Sequence, residues 1–117
     1  MQIEVYGIPN CDTVKKALAW LEDHHLDFAF HNFKKEGLAP AKVKTWLKQV
    51  EWTQLINRSG MTWRKLDDES KAAITTAAAA VRLMCDQPSV VKRPVIEYGA
   101  TLVLGFDSQR YSEIFRK

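Results

Sequence analysis

The most constraining feature of this chain is a cysteine standing where an amino-terminal strand gives way to a helix. Residues 2–6 alternate, with Ile3 and Val5 on one face, which predicts a strand. Gly7-Ile8-Pro9-Asn10 breaks it. A helix follows from about Cys11, because Val14, Ala17, Leu18 and Leu21 recur at the spacing of one helical face. Asn10 is the expected N-cap, and Asp12 suits the first turn. Phe28 and Phe30 then alternate with Ala29 and His31 as a second strand. A crossover through the helix makes that strand parallel to the first, in a right-handed unit.

Beyond this βαβ start the pattern turns helical. Gly37 to Ala39 reads as a loop, and Pro40 sits in a first helical turn. Val43, Trp46, Leu47 and Val50 mark an amphipathic helix. Arg58-Ser59-Gly60 is an irregular break, with Thr62 as the cap of a short helix. From Asp67 or Asp68 a helix presents Ile74, Ala77, Ala78, Val81, Met84 and Cys85 on one face, with room for a break inside 68–86. Val95-Ile96-Glu97-Tyr98 and Thr101 to Leu104 form a hairpin around Gly99-Ala100. Asp107 or Ser108 caps a closing helix that packs Tyr111, Ile114 and Phe115. With no linker or repeat, the order βαβ, helices, ββα describes one domain over residues 1–117. It is an α/β chain of thioredoxin-like fold, a mixed four-stranded sheet with an all-helical insertion over about residues 38–88.

Composition narrows the function classes. A content of 46% hydrophobic and 26% charged residues is ordinary for a globular domain, and a net charge of +3 is too mild to argue for nucleic acid. No apolar run approaches the ~20 residues that cross a membrane. The amino terminus lacks the basic-then-apolar layout of a signal peptide. The two cysteines, Cys11 and Cys85, form neither a disulfide framework nor a zinc pattern. A cytoplasmic protein with reduced thiols is expected.

Cys11 carries the chemistry. At a helix N-terminus it faces unpaired N–H groups and the positive end of the helix dipole, both of which favour thiolate. A free cysteine of pKa near 8.5 is only ~3% ionised at pH 7, whereas helix N-termini bring the value to about 3.5–7.5. A two-unit drop corresponds to ~2.7 kcal/mol of preferential thiolate stabilisation. Lys15, one turn on, offers a positive charge unless its stem points into water. The bland alternative is a small apolar residue filling space under the loop.

Tyr6-Gly7-Ile8-Pro9-Asn10-Cys11-Asp12-Thr13-Val14-Lys15-Lys16-Ala17 resembles the active-site loop and first helix of the ArsC/Spx/YffB family. Lys92-Arg93-Pro94-Val95 is similar to the family's Arg-Pro element, and Gly105-Phe106-Asp107 to its closing strand–helix junction. The resemblance covers essentially the whole chain and is strongest to the YffB branch, which implies glutathione-dependent thiol reduction. It implies a cis-proline at Pro94 facing the cysteine, a glutathione contact at Arg93 through backbone and guanidinium, and an oxyanion-binding role at Arg58. For Arg58 an exposed loop charge remains the alternative. The candidate glutathione- or anion-binding set is thus Asn10, Asp12, Thr13, Lys15, Arg58, Arg93 and Pro94, around Cys11 as catalytic residue. Glutathione is the expected co-substrate, with a disulfide or glutathionylated molecule as partner and no metal.

The chain departs from the family pattern in informative places. Arsenate reductases of the family carry a histidine where Gly7 stands, and a third arginine where Leu104 or Gly105 stands; Arg110 falls after the helix cap and does not match. Many Spx-type regulators, which bind RNA polymerase, use a Cys-x-x-Cys switch, and here Val14 replaces the second cysteine. Cys85 is expected to be buried on the apolar helical face. His24, His25 and His31 contain no metal-ligand pair, and Trp46, Trp52 and Trp63 read as packing in the helical insertion rather than as a base-stacking platform. The leading expectation is a glutathione-dependent thiol–disulfide reductase. The alternatives are an arsenate reductase and a non-catalytic regulator that binds a protein partner.

Overall fold

The computed structural model describes residues 2–115. They form two compact units, one taking in the chain up to Asn32 and again from Arg93, the other spanning Phe33–Lys92.

The first unit is built on a mixed four-stranded sheet in the order β2-β1-β3-β4. Strand β1 (Ile3–Gly7) pairs parallel with β2 (Phe28–Asn32), Val5 opposite Phe30. On its other side β1 pairs antiparallel with β3 (Val95–Tyr98), Val5 opposite Ile96. Strand β4 (Thr101–Leu104) closes a hairpin on β3, Tyr98 opposite Thr101, across Gly99 in the left-handed region at φ 59°. Helix α1 (Asp12–Asp23) connects β1 to β2. The thioredoxin-like α/β arrangement expected of the chain is present. One core joins Ile3 and Val5 of β1, Ala17 and Leu21 of α1, Ile96 and Val103 of the hairpin, and Tyr111 and Phe115 at the carboxyl end. Burying each such aliphatic side chain contributes about 1.5–3 kcal/mol, so this face of the sheet anchors the helix that carries Cys11.

The second unit is all helical: α2 (Phe33–Glu36), α3 (Pro40–Trp46), α4 (Trp52–Leu55), α5 (Met61–Arg64), α6 (Asp68–Ala73) and α7 (Ala77–Asp86), followed by a 3₁₀ turn over Pro88–Val90. It has its own buried residues, among them Phe33, Val43, Trp46, Leu55 and Met84. The closing helix α8 (Ser108–Ile114) belongs to the first unit and is capped by Asp107, whose carboxylate accepts from the Arg110 N–H.

Several local expectations change. Asn10 does not cap α1; Cys11 does, with extended backbone at φ −97° and ψ 126°. The reason is the turn before it, where the Cys11 N–H donates to the Ile8 carbonyl at 3.3 Å and occupies Pro9 and Asn10. The helix begun at Pro40 ends at Trp46 instead of running on to Val50. Gly60, not Thr62, caps α5. The break inside 68–86 falls at Ile74–Thr76, where the Thr76 hydroxyl accepts from the Ala79 N–H and starts α7. Along α7 the buried residues are Ala80, Val81 and Met84, while Ala77 and Ala78 are exposed and Cys85 is half-buried.

Candidate active site

The site begins with a close approach of backbone to side chain. Gly7 ends β1 beneath the first turn of α1, and a Cβ built there would lie 2.9 Å from Val14 Cγ2 and 3.6 Å from Phe30 Cε1. Only glycine lets Val14 seat against the strand end. Seating Val14 positions the first turn of the helix, and the first turn positions the thiol at its mouth.

Cys11 is half-buried and not disulfide-bonded. As N-cap it stands before residues whose N–H groups have no partner within the helix. Its sulfur makes no capping hydrogen bond of regular geometry. The peptide dipoles still act on it. Burial pushes the thiol up, and the Val14 N–H, the Arg93 guanidinium and the Thr13 N–H together more than offset this, so the pKa lies below the ordinary thiol value. Arg93 acts both as a hydrogen-bond donor to the sulfur and as a nearby positive charge. Its peptide bond to Pro94 is cis, immediately before β3.

The residues singled out from the sequence therefore separate. Cys11, Thr13 and Arg93 come together around one sulfur. Asn10, Asp12 and Lys15 are exposed on the loop and first turns, and the positive charge acting on the sulfur is that of Arg93 rather than Lys15. Pro94 is buried. Arg58 lies in the helical unit, exposed, with its guanidinium carbon 5.8 Å from the ring centroid of Trp52 and 5.6 Å from that of Trp63. Sequence reasoning missed the Val14 amide, because placing the N-cap at Asn10 moves the third helical N–H to Thr13. Of the three tryptophans of the helical unit, Trp46 is fully buried, while Trp52 and Trp63 beside Arg58 are half-buried.

Among the described residues no group of three or more His, Cys, Asp or Glu side chains is placed to hold a metal ion. Within the same residues no helix is long and apolar enough to cross a membrane.

A model of the ArsC family matches residues 6–114 of this chain. An arsenate reductase (ArsC) related protein from Brucella melitensis is 48% identical, covers 100% of this chain and 97% of its own, and superposes with a TM-score of 0.78. The structure of a YffB protein is 40% identical over 95% of this chain and 96% of its own, with a TM-score of 0.89. The global transcriptional regulator Spx of Bacillus subtilis is 26% identical over 107 residues, 90% of this chain and 80% of that protein.

Proposed function

The chain belongs to the ArsC family, and on that premise we propose that it is a glutathione-dependent thiol–disulfide reductase working through Cys11. The observation that carries this reading is a half-buried sulfur at the mouth of α1 whose ionisation is favoured by the Val14 and Thr13 amides and by Arg93. That combination is what nucleophilic thiol chemistry needs at neutral pH.

The Cys11 thiolate attacks the glutathione sulfur of a glutathionylated substrate. A Cys11–glutathione disulfide forms, the substrate's S–S bond breaks, and the substrate leaves as thiolate. A second glutathione thiolate then attacks the glutathione sulfur of that adduct, releasing oxidised glutathione and restoring the Cys11 thiolate. Val14 stands where a local resolving cysteine would be, which is why an external thiol completes the cycle. Arg93 stabilises the thiolate in both half-reactions, and its guanidinium offers a paired-donor edge to a carboxylate of the anionic tripeptide.

The test compares Cys11→Ser with Cys85→Ser by intact-mass spectrometry after exposure to oxidised glutathione. Cys85→Ser gains one glutathione and Cys11→Ser gains none. An adduct that persists in Cys11→Ser and vanishes in Cys85→Ser overturns the assignment.

Arsenate reduction is the second reading, favoured by the relationship to the Brucella melitensis protein. It ranks lower because the histidine of arsenate reductases has no room at Gly7 unless Val14 moves. Arsenate turnover assays separate the two. A regulator of the Spx kind would keep its protein partner in a Cys11→Ala pull-down, whereas a thiol reductase would not depend on one.

A further inference from the structure

We infer, resting on the reading of Cys11 as the nucleophile, that Tyr6 is a positioning residue for the reaction: it ties β2 and β3 to the active-site end of β1 and so keeps Arg93 beside the Cys11 sulfur.

Tyr6 is the last residue of β1 with a side chain, since Gly7 follows it and ends the strand. Tyr6 opposite Val95 is also the last rung of the β1–β3 ladder. From that rung one strand continues through Gly7 and the loop to Cys11, and the other runs back through Pro94 to Arg93. The placement of Tyr6 against Val95 therefore sets where the thiol and the guanidinium start from. On its β4 side the Arg93–Pro94 segment is fixed by backbone, because the Pro94 carbonyl accepts from the Gly105 N–H at 2.9 Å.

The tie is made on the sheet face away from Ile3 and Val5. The Tyr6 ring stacks on the His31 ring of β2, with centroids 4.6 Å apart and planes 16° from parallel. In the other direction its hydroxyl reaches diagonally across the ladder and donates to Glu97 Oε1 on β3, at a long 3.4 Å. One half-buried side chain thus engages both neighbours of β1. The two rings also relieve an unfavourable pairing. Glu4 and Glu97 stand directly opposite in the ladder, and like charges so placed weaken an antiparallel pair. Tyr6 supplies Glu97 with a donor, and His31 Nε2 lies 3.3 Å from Glu4 Oε1. An aliphatic residue at position 6 removes the stack and the donor together, at the rung from which Arg93 departs.

The experiment measures the midpoint of pH-dependent alkylation, and the rate at pH 7, in the full chain with Cys85→Ser so that only Cys11 reacts. Tyr6→Leu raises the midpoint and slows alkylation at pH 7 about three-fold. Tyr6→Phe, which keeps the stack and loses the donor, gives a smaller effect in the same direction. Neither substitution adds a charge near the sulfur, so the shift reports the placement of Arg93. With Arg93→Ala also present, Tyr6→Leu moves the midpoint no further, the coupling expected of one residue that acts through another. An unmoved midpoint in Tyr6→Leu, or a shift equally large without Arg93, overturns the inference and leaves the reading of Cys11 standing. A midpoint at the ordinary thiol value before any change at Tyr6 overturns that reading and the inference together. Where thermal melts show Tyr6→Leu unfolded, Tyr6→Phe decides by the same two comparisons.

Discussion

At Cys11 burial opposes ionisation, while two peptide N–H groups and one guanidinium favour it. Arg93 is the only side chain in that set, so Arg93→Ala moves the midpoint of pH-dependent alkylation upward, measured with Cys85→Ser to isolate one thiol. Arg93→Lys restores less than its charge suggests, because an ammonium lacks the planar fork of donors. Cys85 titrates in the opposite direction: burial pushes its thiol up and the Lys44 charge only partly counters this. The two cysteines therefore pull stability in opposite senses. Ionised Cys11 stabilises the native state above the ordinary thiol pKa, and this contribution is lost as pH falls through the lowered value. The neutral Cys85 thiol contributes below its ordinary pKa and loses that contribution as pH rises through the raised value. Much of this was legible beforehand at Cys11, since strand, Gly-Pro loop and apolar helical face together place it at a helix tip. The identity of the charge beside it was not. Lys15 is near in sequence and Arg93 distant, and only the antiparallel pairing of β1 with β3 brings the distant one close.

The strand–helix joint depends on the missing side chain at Gly7. Val14 is β-branched and stiff, so a methyl placed 2.9 Å from its Cγ2 displaces the first turn of α1 rather than a flexible chain end. Gly7→Ala is expected to lower stability by about 1–3 kcal/mol, read by urea unfolding, and to slow Cys11 alkylation at pH 7 as the amides lose their aim. The two helices of the first unit were readable because α1 has a regular apolar stripe over twelve residues and α8 has a side-chain cap at Asp107. The helical unit was harder. Its segments α2, α4 and α5 are each four residues long, too short for a 3.6-residue period to show. The alanine run at 77–80 masks the boundary at Thr76, because alanine favours helix on either side and only Thr75-Thr76 interrupts it. A capping box at Glu51 and Gln54, in which each side chain bonds the other's backbone, was the available signal for α4.

Across the whole chain, each of the two units has its own set of buried side chains. Trp46 is the largest of those in the helical unit and is 1% exposed. Trp46→Ala is expected to cost about 3–5 kcal/mol. Hydrogen exchange should report the loss first over Phe33–Lys92, with the amides of β1 and β3 holding their protection longest. Uniform loss of protection would instead mean that both units open as one.

The strand order has a consequence for synthesis. Strand β1 lies inside the sheet yet emerges first, and one of its two neighbours, β3, follows only after Lys92. At a translation rate of about 5–20 residues per second, Phe33–Lys92 takes roughly 3 to 12 s to leave the ribosome. Throughout that interval the nascent β1 has an open hydrogen-bonding edge, the kind of surface that other chains can join, while the helices that follow it can already close around Trp46.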